Sequence, residues 1–383
     1  MTTNKYNSKS RIEISRSALL SNIGAISSLL PGDISIMAVI KANAYGHGLA
    51  QINLLLKGSE VKWLGVDSLE EALIISEQGA DLPILIMGYT LHKDLVGVVE
   101  NNFRQVVYDI ETLKVIESEA KRLNKKAYIH LKIETGTNRQ GVKPEDLEKF
   151  AIFFIEHSNV VLEGIYTHFA DVETGNVEFA VEQLSEYKKA IDIFAAKKIS
   201  IPWRHSAATS AILLLPESHF NLVRLGIGLY GLWPSMEVKG KNADFGKRIE
   251  FKPALQWKTF VAQIKNVKRG EAVGYGLSER LARDSRIAVI PQGYADGYDR
   301  RLSSNGNVLI RGQRARVVGR ICMNMFMVDI TDIEDVKQED EVVLLGVQGK
   351  EEITAEELAE KCGTINYEIV SRINPLIPRI VVE

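Results

Sequence analysis

Short apolar, β-branched runs alternate with amphipathic helical stretches through the first two thirds of the chain, and this alternation constrains the fold more than any other feature. Eight such runs occur, at 34–40, 62–66, 84–87, 105–108, 127–133, 161–167, 201–205 and 222–225. Helical segments follow most of them, among them 68–78, with Leu69, Ala72 and Leu73 on one face, and 177–197. Eight consecutive parallel βα units suggest closure into a (β/α)8 TIM barrel. After about Asp244 the texture changes to longer alternating strands at 256–267, 286–290, 308–328 and 341–345, with glycine turns between them. A late helix is expected over 354–362, with Thr354 as its N-cap, glutamates in its first turn and Gly363 beyond its end.

The expected architecture is therefore α/β: a barrel over 1–244 and a mostly-β C-terminal domain over 245–383, with 237–246 as the linker. A chain of 383 residues exceeds what one hydrophobic core usually holds, so two domains agree with its length. A net charge of −2 does not favour nucleic acid as a partner. The longest apolar runs, such as 36–40 and 211–215, fall far short of the roughly 20 residues that a membrane helix needs. The polar start, 1–11, lacks a secretory pattern, so the cytoplasm is the expected location. Cys322 and Cys362 have no metal-ligand spacing; both are read as reduced thiols, and no metal site is expected.

In such a barrel the chemistry lies at the carboxyl ends of the strands, so the polar residues just beyond each run matter most. Lys41 ends the first run, Arg139 follows the fifth, His168 the sixth, Thr209 and Ser210 the seventh, and Arg224 and Gly226 the eighth. A lysine directly after four apolar residues has two readings. It snorkels to the barrel rim, or it is held as a covalent link to a cofactor aldehyde, where desolvation lowers its pKa and suits it to proton transfer. The small residues at 206–210 and 226–228 are either ordinary turns or a phosphate site of the kind often built after strands seven and eight. Arg224, within Leu222-Val223-Arg224-Leu225, points either inward among polar groups or outward to solvent. An inward arginine cannot readily give up its proton, so against a pyridine nitrogen it would leave that nitrogen unprotonated. His168, taken on its own, reads first as a satisfied core histidine.

These residues resemble the bacterial alanine racemases, enzymes of fold type III that use pyridoxal 5′-phosphate (PLP). The most specific element is 38–48, Ala-Val-Ile-Lys-Ala-Asn-Ala-Tyr-Gly-His-Gly, which is similar to the PLP-lysine signature of that family. Also similar are Lys132 with Thr135-Gly136 and Arg139, Thr167-His168-Phe169-Ala170, Val223-Arg224-Leu225-Gly226-Ile227, Gly274-Tyr275-Gly276, 293–297, Ile321-Cys322-Met323 and Ile365-Asn366-Tyr367. The resemblance implies a homodimer in which Tyr275 of one subunit faces Lys41 of the other, the two acting as opposed bases on an amino-acid substrate. Lys41 would serve the D-enantiomer and Tyr275 the L-enantiomer, yielding D-alanine for peptidoglycan. It further implies that Tyr45, Thr209, Gly226, Ile227 and Tyr367 hold the phosphate, with Ser210 sharing the contact. Arg224 would meet the pyridine nitrogen with His205 behind it, and His168, counted with the cofactor contacts, would partner the tyrosine. Arg139 and the backbone of Met323 would meet the substrate carboxylate, and Lys132 matches a lysine often carbamylated to hold that arginine.

Two departures stand out. The family usually reads His-x-Ala-Asn-Ser where this chain has His205-Ser206-Ala207-Ala208-Thr209, and it usually has aspartate where this chain has Asn324. Both bear on the phosphate and carboxylate contacts rather than on racemisation. Three other readings compete. A serine or broad-specificity racemase is disfavoured by the bulk of Tyr367, and a fold-type III decarboxylase by Arg224, since its nitrogen partner is acidic. A non-enzymatic PLP-homeostasis protein would lack the second domain and Tyr275.

Overall fold

The computed structural model describes residues 8–244 and 249–383. The chain forms two compact units: one of residues 20–42 and 52–251, the other of residues up to 19, 43–51 and 252–383.

In the first unit all eight expected runs are strands: Ser35–Val39, Val61–Val66, Ile84–Ile86, Arg104–Val107, Ala127–Lys132, Val160–Tyr166, Trp203–His205 and Leu222–Leu225. They pair in parallel in chain order, and the eighth returns to the first through Ile36↔Val223 and Met37↔Arg224. The seventh and eighth meet at the bridge Ala208↔Arg224, where the Arg224 N–H donates to the Ala207 carbonyl at 3.0 Å, so the barrel is nearly closed. Its interior is filled rather than hollow: Met37, Trp63, Leu85, Val106, Tyr166 and Leu222 form a buried cluster. Helix Leu69–Glu77 starts behind Ser68, whose hydroxyl accepts the Glu71 N–H at 3.3 Å. Helix Glu178–Ala196 buries Ala180, Leu184, Tyr187, Ala190 and Phe194, a stripe at helical spacing.

The second unit is mostly β. The expected strand 256–267 is two strands, Leu255–Phe260 and Gln263–Val267, which pair antiparallel with Glu341–Gln348 and Ser285–Ile290 respectively. The expected 308–328 is three, Asn307–Ile310, Gln313–Val318 and Phe326–Asp329. The first break falls at Arg311 and Gly312, both with positive φ (51° and 72°), the backbone a tight hairpin turn requires. Helix Ala355–Cys362 has the expected Thr354 cap, accepting the Glu357 N–H at 3.0 Å, and Gly363 closes it at φ 60°.

The earliest described strand, Arg11–Ser15, belongs to this unit. It pairs antiparallel with Leu255–Phe260 and parallel with Arg379–Val382, burying Ile12 and Ile14 completely. The reason is local: alternating Ile12 and Ile14 suit a half-buried strand, and without this pairing Leu255–Phe260 would expose an unsatisfied edge. The units therefore part at 251/252 and are discontinuous, where the sequence led us to expect a single cut at 244/245. The expected linker is helical over Met236–Gly240 and Lys241–Asp244; residues 245–246 lie outside the described residues, as do residues 1–7 of the expected polar start. Among the described residues no helix is long and apolar enough to cross a membrane.

Candidate active site

Lys41 stands two residues beyond the first barrel strand and opens the helical turn Lys41–Tyr45. Ala42, Asn43, Ala44 and Tyr45 have φ of 54°, 53°, 54° and 51°, so this turn is left-handed although none of the four is glycine. Each such residue costs roughly 1–2 kcal/mol, so the turn persists only because its surroundings over-determine it. The Gly48 N–H donates to the Asn43 carbonyl and the Leu49 N–H to Asn43 Oδ1, both at 2.9 Å. His47 Nδ1 meets the Ala44 and Tyr45 carbonyls at 3.1 and 3.0 Å, and burial pulls its pKa down to about 4, so it donates as a neutral ring. Arg379 donates twice to the Gly46 carbonyl, at 3.1 and 2.9 Å. Gly46 has φ 82°, and a Cβ there would lie 2.0 Å from the Val370 carbonyl oxygen. The ammonium of Lys41 pairs with Asp67 at 3.3 Å.

Arg224, on the eighth strand, is only 4% exposed. Its guanidinium donates to His205 Nδ1 (3.0 Å), to the carbonyls of His205 (3.1 Å), Thr167 (3.0 Å) and Ser206 (2.8 Å), and faces His168 Nδ1 at 3.2 Å. Burial, then the charge of Arg224, holds both imidazoles well below the usual histidine range, so both accept as neutral rings. The inward reading of Arg224 therefore holds. It is a buried fixed cation that can donate but not deliver a proton.

Thr209 begins helix Thr209–Leu214, and its hydroxyl accepts the N–H groups of Gly226 (3.2 Å) and Gly228 (3.4 Å). Ser210 and Ile227 are buried beside them in sequence. A Cβ on Gly228 would lie 2.7 Å from the Thr209 methyl, so the loop is closed to any larger residue. Lys132 is 3% exposed and donates to Gln140 Oε1 at 3.2 Å. Burial, then the charges of Arg139 and Arg224, lowers its pKa to about 8. Arg139 itself is exposed.

The remaining expected residues lie in the second unit. The rings of Tyr45 and Tyr367 stand 6.1 Å apart, tilted by 47°. Tyr275 is 73% exposed and sits between two left-handed glycines, Gly274 and Gly276, with φ of 77° and 73°. A Cβ on Gly276 would lie 2.7 Å from the Arg320 guanidinium. Tyr275, Tyr294, Arg320, Met323 and Asn324 line one cleft of about 990 Å³. Its floor is pinned where the Tyr294 and Ala295 N–H groups donate to the carbonyls of Cys322 (3.1 Å) and Met323 (3.0 Å).

Thus Arg224, His205 and His168 gather at one end of the barrel strands, and Thr209 gathers with Gly226. Tyr45 gathers with Tyr367, and Tyr275 with Met323. Sequence reasoning passed over Asp67, Arg379, His130 and Glu163. Asp67 was open to discovery, because it follows the second strand just as Lys41 follows the first.

Comparison with known proteins agrees with this geometry. The family model of the alanine racemase N-terminal domain matches residues 14–234, and that of the C-terminal domain matches 254–381. Alanine racemase 1 of Caldanaerobacter subterraneus subsp. tengcongensis is 39% identical over 97% of this chain and 94% of its own length. The alanine racemase of Methanococcus maripaludis is 40% identical over 96% of this chain and 97% of its own. Among solved structures, the alanine racemase of Clostridium difficile 630 superposes with a TM-score of 0.93 at 36% identity, covering 99% of this chain and 97% of that one. Matched through both of its domains and over nearly its whole length, the chain belongs to the alanine racemase family.

Proposed function

We propose that this chain interconverts L- and D-alanine with PLP, working as a homodimer in the cytoplasm and supplying D-alanine for peptidoglycan. The observation that carries the reading is Arg224, a buried guanidinium supported by neutral imidazoles and carbonyls where a decarboxylase would need an acid. The residues present fit PLP. Lys41 would offer the amine for its aldehyde, Arg224 a donor that leaves the ring nitrogen unprotonated, and the Thr209, Ser210, Gly226 and Ile227 loop a cradle for its phosphate.

When bound, the cofactor supplies an electron-withdrawing ring that stabilises negative charge at the substrate α-carbon. Inversion then requires one base on each face. Lys41 removes or returns the proton on one face, and the partner subunit's Tyr275 does so on the other. The 73% exposure of Tyr275 supports that assignment, because a base so open to water in one chain needs a covering surface. His168, held on Arg224, would be the neighbour of that tyrosine. Arg139 would orient the substrate carboxylate. Carbamylation of Lys132, whose pKa of about 8 leaves part of it as free amine near neutrality, would convert a cation beside Arg139 into an anion that holds it. The bulk of Tyr367 favours alanine over serine by crowding a larger side chain.

The test is circular dichroism of the PLP-loaded protein with L-alanine, and separately L-serine, in deuterium oxide, with proton NMR at the α-position. Loss of optical signal with deuterium incorporation, faster for alanine, is expected. Exchange with retained chirality would mean that a single base works, on the L face alone, and would overturn the opposed pair of Lys41 and Tyr275; no change with either substrate would sink the proposed reaction.

A further inference from the structure

Arg224 and His205 are one end of a longer chain that crosses the barrel interior. His205 Nε2 meets His130 Nδ1 at 2.8 Å, and His130 Nε2 faces Glu163 Oε2 at 3.6 Å. Arg104 grips that carboxylate with two contacts, 2.9 and 3.1 Å. Both histidines are completely buried. Tyr166 stacks on His205 at 4.8 Å and 2°, and Trp63 lies 5.3 Å from His130, so both rings are held in place.

The direction of the chain follows from elementary chemistry. A guanidinium only donates, so His205 Nδ1 must accept, and the proton of that neutral ring sits on Nε2. His205 Nε2–H then donates to His130 Nδ1, which puts the His130 proton on Nε2, aimed at Glu163. Burial lowers the pKa of both rings, in keeping with two neutral imidazoles. His130 Nε2 has no nearer hydrogen-bond partner and no access to water, so the carboxylate is what compensates it, through a contact longer than a regular hydrogen bond.

Two backbone features build this arrangement. The ladder between the fifth and sixth barrel strands slips at Ile129/His130, pairing Ile129 with Leu162 and His130 with Gly164, so Glu163 is the extra residue. Such bulges re-aim side chains beside functional sites. Gly164 leaves room for the ring: a Cβ there would lie 2.5 Å from His130 Nδ1.

We propose that His130 and Glu163 are positioning residues for Arg224: the Glu163 carboxylate polarises the two-imidazole chain, locks the His205 tautomer and weakens Arg224 as a donor to the cofactor ring nitrogen. The proposal rests on the reading that Arg224 faces that nitrogen. Arg104, by competing for Glu163, limits the effect. Removing the carboxylate charge and removing Arg104 should therefore act in opposite directions, which a purely structural role would not produce.

The experiment uses holoenzyme labelled with 15N in its histidines and loaded with PLP labelled with 15N in the ring. In the unmodified enzyme His130 and His205 should both be neutral with the proton on Nε2. In Glu163→Gln the ring-nitrogen signal should move upfield, toward the protonated value. Arg104→Met should move the signal downfield, and Glu163→Asp, which keeps the charge if the Gln variant folds poorly, should restore most of the original value. A His130 proton on Nδ1, or a ring-nitrogen signal unmoved in both Glu163→Gln and Arg104→Met, overturns the proposal. If Arg224→Lys also leaves the signal in place while the tautomers are as stated, the fault lies in the reading of Arg224 rather than in the chain.

Discussion

Replacing Arg379 with methionine should loosen the left-handed turn that follows Lys41. The guanidinium donates to four backbone carbonyls: Gly46 at 3.1 and 2.9 Å, Asn374 at 2.7 Å, Ile377 at 2.6 Å and Ile373 at 3.2 Å. A hydrogen bond from a charged group contributes about 1.5–3 kcal/mol net. Against their sum stands the cost of burying the guanidinium, which pulls its pKa down to about 10 while leaving it charged at neutral pH. The turn itself stores about 4–8 kcal/mol across Ala42, Asn43, Ala44 and Tyr45. Removing the clamp should therefore cost about 3 kcal/mol of stability, and relaxation of the turn should weaken PLP retention by at least about tenfold. Arg379→Lys should do nearly as badly, because a point charge cannot satisfy carbonyls spread around a planar fork. Urea unfolding followed by circular dichroism reads the first effect, and equilibrium release of PLP reads the second. Loss of stability with unchanged PLP affinity would refute the argument that Arg379 holds this turn for the cofactor.

Lys132 binds fewer protons folded than unfolded between its lowered pKa of about 8 and 10.5, so its contribution to stability rises with pH through that window, by about 3 kcal/mol in all. Lys132→Met should flatten that slope in urea titrations at pH 7.5 and 10 while impairing turnover; an unchanged slope would rule out the buried ammonium as its source. His47, lowered to about 4, works in the acid range: the unfolded state takes up its proton first, so stability falls as pH drops from 6.5 toward 4. His47→Asn should reduce that loss, measured as Tm against pH, and an identical acid profile would exclude His47. Gly164→Ala, which would set a methyl 2.5 Å from His130 Nδ1, should cost about 2 kcal/mol in urea unfolding, and a neutral result would mean the ring moves freely. Tyr367→Ala or Tyr367→Asn should raise kcat/KM for serine relative to alanine, and unchanged ratios would show that the ring does not set substrate size.

All eight barrel strands were legible because a parallel strand buried on both faces is a continuous apolar run, which needs no long-range information to recognise. The rule that chemistry sits beyond strand ends picked out Lys41, His168, Thr209 and Arg224, and it would have reached Asp67 had it been applied to the second strand. The helix cap at Thr354 was legible for the same local reason. Position alone left Arg224 undecided between inward and outward, since a strand residue's side is set by register with its neighbours. The role of Tyr275 came from family resemblance and not from its surroundings in sequence.

What tertiary structure alone decided were the long-range pairings. Ile12 and Ile14 joined a strand more than 240 residues away, and Arg379 reached back 333 residues to Gly46. The slip at Ile129/His130 placed Glu163 behind His130, at the far end of the chain that begins at Arg224. Apolar period, caps and strand ends are properties of a few adjacent residues, and the sequence by itself determines them. Handed turns of non-glycine residues, bulges and buried charge relays are locally unfavourable, so they exist only where distant groups compensate them, and no local pattern records which groups those are.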